Sequence, residues 1–294
     1  MPAFIHIPSY AKINWTLDVL FKREDGFHEL RTIYQTVSLH DTLTITETAG
    51  PIEILCEDPR VPIDETNLVF KAAALLREKT GVSKGARIEI DKHIPVAAGL
   101  GGGSSNAAAT LLALRKLWRI EIDDCALLQI AASIGSDVPF FLMGGTALGV
   151  GRGEEVYAIE QAQCEHLLLV NPGVAVSTRD AYQKLSRLTR SEAPSNIPFT
   201  LLAAKGVSGL PLVARNELEE SVLAAHPEIA EVKRRLLSLG ARHAQMSGSG
   251  ATVFGVFDNS QSIEQAESEA RAAGYWARRV RCIDSREYQV TIFQ

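Results

Sequence analysis

Residues 94–109 read Ile94-Pro95-Val96-Ala97-Ala98-Gly99-Leu100-Gly101-Gly102-Gly103-Ser104-Ser105-Asn106-Ala107-Ala108-Ala109, a glycine-rich loop running straight into a helical pattern. Gly99, Gly101, Gly102 and Gly103 lack the Cβ atoms that would keep a ligand off the backbone. A helix start adds unpaired N–H groups and a positive dipole end, and the combination binds anions, most often phosphate. Ser104 or Ser105 is the expected N-cap. Ser104 also stands where a Walker loop would carry lysine, so Pro95–Ser105 is expected to cradle phosphates without supplying their cation. No acidic residue closes a strand about 20 residues later, which excludes the dinucleotide fingerprint.

Other stretches offer the missing groups. In Ala11-Lys12-Ile13-Asn14, strand alternation puts Lys12 and Asn14 on one face, a cation and an amide that together suit a phosphate and a substrate hydroxyl. Ser136-Asp137-Val138-Pro139 follows a helix-ending Gly135, and Phe140 and Phe141 are expected to anchor a buried strand beyond it, leaving the Asp137 carboxylate presented. Arg23-Glu24-Asp25-Gly26 reads as a turn that displays Phe27 and His28, able to stack on a base and hydrogen-bond to it. Ser247-Gly248-Ser249-Gly250-Ala251 is a second backbone-exposing loop, where Gly248 and Gly250 permit close approach to substrate or phosphate.

The elements that must position these residues are of two kinds. Period-two alternation predicts strands over Ala11–Leu20, Arg31–Leu39, Thr42–Thr48, 52–55 and 87–91, and helical spacing predicts a helix over Asn67–Lys79. Helices are expected from Ser104 to Trp118 and from Cys125 to Ile134. The second half reads as a buried strand (Leu167–Val170), a helix near Ser177, a loop over 186–199, a helix over Pro227–Leu239, a strand over Thr252–Phe257, a helix carrying Ile263, Ala266, Ala270 and Ala273, and short strands around Val280 and Val290. This order has no regular βαβ repeat and predicts an α+β protein, divided near residue 150 into units 1–150 and 151–294.

Composition bounds the function. The 294 residues are 46% hydrophobic and 22% charged, with a formal charge of −5, which disfavours nucleic acid and membrane surfaces as partners. Cys56, Cys125, Cys164 and Cys282 form no metal-spaced pair, and no basic, apolar leader opens the chain, so a reducing cytoplasm is the expected setting. The sequence leaves oligomeric state and metal ligands open.

Taken together, Ala11–Asn14, Arg23–His28, Ile94–Ala109, Gly135–Phe140, Gly144–Glu154, Asn171-Pro172-Gly173 and Ser247–Phe254 resemble the GHMP kinases, in that family's order and over both halves. The resemblance implies a ribosomal-protein-like N-terminal ATP-binding domain, a ferredoxin-like C-terminal domain, and an active site between them. It is strongest toward the member that uses ATP and Mg²⁺ to phosphorylate the tertiary 2-hydroxyl of a cytidyl diphosphate substrate for isoprenoid precursor synthesis. By the same resemblance Lys12 and Asp137 match the catalytic pair, Pro95–Ser105 the nucleotide-phosphate loop, and Phe27, His28 and Tyr182 the positions that sandwich and read the cytosine. Phe27 stands where tyrosine is common, and Ala97 and Ala98 replace glycines found in some members. The alternatives are a homoserine- or mevalonate-type GHMP kinase, or a non-catalytic ATP and metabolite sensor on the same fold.

Overall fold

The computed structural model describes residues 3–185 and 214–293. The expected loop 186–199 lies outside these residues. The first part of the chain builds a seven-stranded sheet from β1 (Phe4–Lys22), β2 (His28–Thr48), β3 (Ile52–Cys56), β4 (Gly85–Asp91), β5 (Thr146–Gly151), β6 (Glu155–Ala158) and β8 (Arg215–Asn216). Its main path runs β3-β4-β2-β1-β8, with the β5–β6 hairpin paired to the other half of β2. The two separate strands expected over 31–39 and 42–48 are one long strand, because β2 stays paired with β1 across register shifts that bend both strands.

Helices α1 (Leu68–Thr80), α2 (Gly102–Leu117), α3 (Asp124–Ile134) and α4 (Phe140–Met143) cover one face of this sheet. Asn67 caps α1 by accepting a 2.9 Å bond from the Val69 amide, and Gly81 ends it with φ 67°. Along α2, Ala107, Ala108, Leu111 and Leu114 are buried together with Ala109 and Ala113, so its alanines let it lie between α1 and the strands. The N-cap of α2 is Gly101 (φ 70°), not Ser104 or Ser105, and no side chain caps it. The left-handed turn at Gly101 brings the chain into the helix earlier than a serine cap would.

A four-stranded antiparallel sheet, β11-β7-β10-β9, forms the second layer from β7 (Leu167–Asn171), β9 (His243–Met246), β10 (Val253–Val256) and β11 (Trp276–Val280). Around it lie α5 (Thr178–Leu185), α6 (Glu219–Ala225), α7 (Pro227–Ser238) and α8 (Ser260–Ala272). The two sheets share a core in which Trp15 meets Phe254 edge-on at 5.4 Å, with Ala11, Ile13 and Leu169 also buried there. Position 150 falls within β5, and the chain leaves the first sheet after Ala158. No described helix is long and apolar enough to cross a membrane.

Two local expectations are corrected. Phe140 and Phe141 open the short helix α4, not a strand. The preceding helix has already ended at Gly135, and Pro139 (φ −58°) is preshaped for the first turn of the next. Val290 lies in α9 (Ser285–Phe293), half exposed, while Tyr288 and Ile292 one turn apart are buried. The Tyr288 hydroxyl donates to the Phe141 carbonyl at 2.5 Å and the Gln289 amide to the Met143 carbonyl at 3.0 Å, so α9 returns to stop the C-terminal carbonyls of α4.

The entry to the glycine loop is held by a fully buried Asp41. Its carboxylate accepts the His93 and Ile94 amides, each at 2.8 Å, and the Lys92 ammonium at 2.7 Å. Asp41→Ala would strand a buried lysine and two amides, with an expected cost of about 3–5 kcal/mol. Urea denaturation of the variant against the parent chain measures it.

Candidate active site

One cleft of about 1030 Å³ lies between the layers. Pro95 through Ser104 line one wall, with Lys12, Asn14 and Asp137 at the centre, Phe27, His28 and Tyr182 at one end, and Gly248 and Ser249 beside the glycine loop. The fold therefore brings together nearly every residue singled out in the sequence. Ser105 and Gly250 are set back from the cleft. Ser105 is buried and accepts a 2.7 Å bond from the Ser9 hydroxyl, which also contacts Asn106. Gly250 (φ 93°) closes a turn through its amide, 3.0 Å from the Ser247 carbonyl.

Lys12 is 4% exposed, so an ordinary solvated strand face is excluded. Its ammonium donates to Asn14 Oδ1 at 2.7 Å and lies 3.4 Å from Asp137 Oδ2. The Asn14 amide donates in turn to Thr32 Oγ1 at 2.7 Å, and Thr32 to the Thr16 carbonyl at 2.6 Å. The chain of bonds fixes Asn14 in one orientation and aims the lysine at the aspartate. Asp137 sits in the turn between α3 and α4, where Val138, Phe140 and Phe141, just after it in the chain, are fully buried in the core. These anchors fix the turn and leave the carboxylate partly exposed at the cleft.

Sequence reasoning missed Tyr34. Its hydroxyl donates to Asp137 Oδ1 at 3.0 Å, so the carboxylate is held by tyrosine on one oxygen and lysine on the other. Burial, reinforced by the nearby Asp137 charge, pushes the Tyr34 phenol well above its ordinary range, so it remains a proton donor. The glycines of the 144–154 segment explain themselves here. A Cβ at Gly149 would come 2.5 Å from the Tyr34 ring, and one at Gly153 would overlap its hydroxyl. The usable signal was a tyrosine two residues from Thr32 on the strand facing Asn14, together with an unassigned run of glycines.

The glycine-rich wall is built without a side-chain cap. The first-turn amides of α2 are thus left for a ligand, beside the positive end of a helix of 16 residues. Lys92, bonded to Asp41, also lines this wall, so a second cation besides Lys12 stands at the loop, one that the sequence reading passed over. The Lys12 amide donates to the Leu100 carbonyl at 3.0 Å, tying the opening strand to the loop. The second glycine loop presses against the first. Ser247 Oγ donates to the Gly99 carbonyl at 3.0 Å, and Gly248 packs where a Cβ would be 3.3 Å from the Lys12 ammonium.

At the other end, the His28 and Tyr182 rings stack with centroids 5.4 Å apart and planes 23° apart. Burial raises the Tyr182 phenol, with Asp137 adding to the effect. Phe27 is half exposed, and the Arg152 guanidinium lies 4.9 Å from its ring centroid. The Phe27 amide donates to Asp25 Oδ1 at 3.0 Å, closing the turn that displays the ring.

A magnesium ion suits the donors present. Ser104 and Asp137 line the cleft beside the glycine-rich wall and offer the hard oxygen donors that this ion takes.

Residues 67–145 match the family model "GHMP kinases N terminal domain" and residues 204–275 the model "GHMP kinases C terminal". A 4-diphosphocytidyl-2-C-methyl-D-erythritol kinase of Syntrophus aciditrophicus is 43% identical over 282 residues, covering 96% of this chain and 99% of that one. A crystal structure of 4-(cytidine 5'-diphospho)-2C-methyl-D-erythritol kinase superposes with a TM-score of 0.80 at 33% identity, covering 95% of this chain and all of that one. A homoserine kinase from Cytophaga hutchinsonii shares the fold, with a TM-score of 0.76 at 20% identity over 98% of this chain and 97% of its own.

Gly99 has φ 75°, and a Cβ there would overlap the Ser247 carbonyl. Gly99→Ala should therefore part the two glycine loops, weaken ATP binding at least tenfold by isothermal titration, and cost roughly 2–4 kcal/mol of stability in the same preparation.

Proposed function

The chain belongs to the GHMP kinases, and from that premise we propose that it transfers the γ-phosphoryl group of ATP to the tertiary 2-hydroxyl of 4-diphosphocytidyl-2-C-methyl-D-erythritol, in the cytoplasm, on the non-mevalonate route to isoprenoid precursors. The observation that carries the choice of acceptor is the stacked His28–Tyr182 pair, with Phe27 beside it, in the same cleft as Lys12 and Asp137. Aromatic rings and an imidazole hold a nucleobase; homoserine and mevalonate have none for them to hold.

Phosphoryl transfer passes through a loose transition state in which positioning and charge stabilisation outweigh proton removal. In this reading the first-turn amides of α2 and the backbone of Pro95–Ser104 hold the donor phosphates. Asp137 accepts a hydrogen bond from the acceptor hydroxyl, aligns its oxygen with the phosphorus, and takes its proton late. Tyr34 and Lys12 leave the carboxylate little freedom to rotate, so the hydroxyl meets one preset oxygen geometry. Lys12 offsets negative charge on the aspartate and on the group in transfer. Ser104, Asp137 and the phosphates would hold Mg²⁺, which supplies neutralising charge on the phosphate oxygens. Asn14 holds Lys12 in place and offers its amide edge to the substrate, and Gly248 lets the acceptor pass close to the backbone.

Asp137→Asn is expected to lower kcat by about 10²–10⁴ while acceptor binding persists. A coupled ADP-release assay over cytidyl, homoserine and mevalonate acceptors measures both this loss and the acceptor preference, and turnover confined to homoserine or mevalonate would overturn the assignment. Phe27→Ala should raise KM for the cytidyl acceptor by roughly tenfold, the scale of one lost base–aromatic stack, and leave KM for ATP unchanged.

A further inference from the structure

A short strand and a turn, Arg215–Leu218, hold the loop that packs against the glycine-rich wall. β8 pairs in parallel with β1 at Thr16 and Leu17, directly beyond Lys12 and Asn14. Asn216 is 5% exposed and uses its carboxamide completely. Its amide nitrogen donates to the Met246 carbonyl at 2.9 Å and to the Gly248 carbonyl at 2.6 Å, and its oxygen accepts the Leu218 amide at 2.9 Å. Glu219 secures the same loop from the next position, accepting the Met246 amide at 2.7 Å while it pairs with Lys233 at 2.6 Å.

Peptide planarity turns this anchoring into a statement about the cleft. In a trans peptide the C=O and the following N–H point in opposite directions. Holding the Gly248 carbonyl toward Asn216 therefore turns the Ser249 N–H away from Asn216. Gly248 and Ser249 line the cleft, and Gly248 lies against Gly99, Lys12 and Asn14.

We propose that Asn216 is a positioning residue for phosphoryl transfer: its buried carboxamide orients the Gly248–Ser249 peptide so that the Ser249 N–H faces the anionic groups of the reactants and Gly248 stays seated against Lys12. The inference rests on the kinase reading above, and the residue acts only through the loop. An alanine at this position removes both donors to the loop, and a misplacement on the ångström scale is worth up to about 10² in rate.

The test uses the full chain carrying Asn216→Ala, and Asn216→Ser, which keeps one donor and an acceptor for Leu218. Hydrogen exchange of the ligand-free proteins should show faster exchange over 246–251 with the rest of the chain unchanged. With the cytidyl acceptor, kcat should fall about 10- to 100-fold in the alanine variant and less in the serine variant, with both KM values within about threefold of the parent. In a Gly248→Ala background the Asn216→Ala change should cost little more, since both act on one loop. Unchanged exchange over 246–251, a parental kcat, or exchange that rises equally everywhere would overturn the proposal; should the alanine variant not fold, the serine variant decides by the same readings. A parent chain inert on the cytidyl acceptor defeats the choice of acceptor alone, because the exchange measurement needs no substrate.

Discussion

Burying a charge is costly unless it is paired and hydrogen-bonded, and the architecture around Lys12 meets that condition. Its ammonium lies between Asn14 and Asp137, groups supplied by the opening strand and by a turn more than a hundred residues later. Every larger feature serves to keep these partners in reach. The register of β1 against β2 sets Asn14 opposite Tyr34, and the Thr32 hydroxyl bonds to Asn14. Buried Val138, Phe140 and Phe141 fix the turn that carries Asp137, and the C-terminal helix closes the carbonyls below it.

Glycine does two separate jobs in this molecule. One is conformational: Gly101 makes a left-handed turn that starts α2 with its first amides uncapped. The other is to make room for protein groups, inside the glycine-rich loop as well as outside it. Gly99 and Gly248 let two loops meet at the backbone, and Gly149 and Gly153 form the socket for the Tyr34 ring. The same residue type thus shapes a ligand site and the support behind a carboxylate, and only the neighbours distinguish the roles.

The cleft is polarised along its length. One end is a wall of backbone amides with Lys92 beside it, suited to phosphates, and the other is aromatic and carries His28 and Arg152. Lys12 and Asp137 stand between the two ends. A donor held by its phosphates and an acceptor held by its base would meet at the paired charges, which is the arrangement that in-line transfer requires.

Much of this was legible in the residues. Alternation exposed the β1 face bearing Lys12 and Asn14. Glycine spacing marked the loop that lines the cleft, and helical periodicity placed α1, α2, α3 and α7 to within a few residues. The misreadings arose where a local signal has two meanings. Pro139 reads as a helix stop yet begins one, a serine after glycine need not be the cap, and the short apolar run near Val290 fits either period. Tyr34, Asn216 and Lys92 were passed over, since each acquires its role from groups far off in the chain: Asp137, Gly248 and Asp41. The sequence by itself determined which residues had the chemistry to bind phosphate, carry charge and stack on a base, because those properties belong to the residue and its immediate neighbours. Tertiary structure alone decided which of them face one cleft and what holds each in place, because a hydrogen bond depends on distance and direction in space and not on separation along the chain.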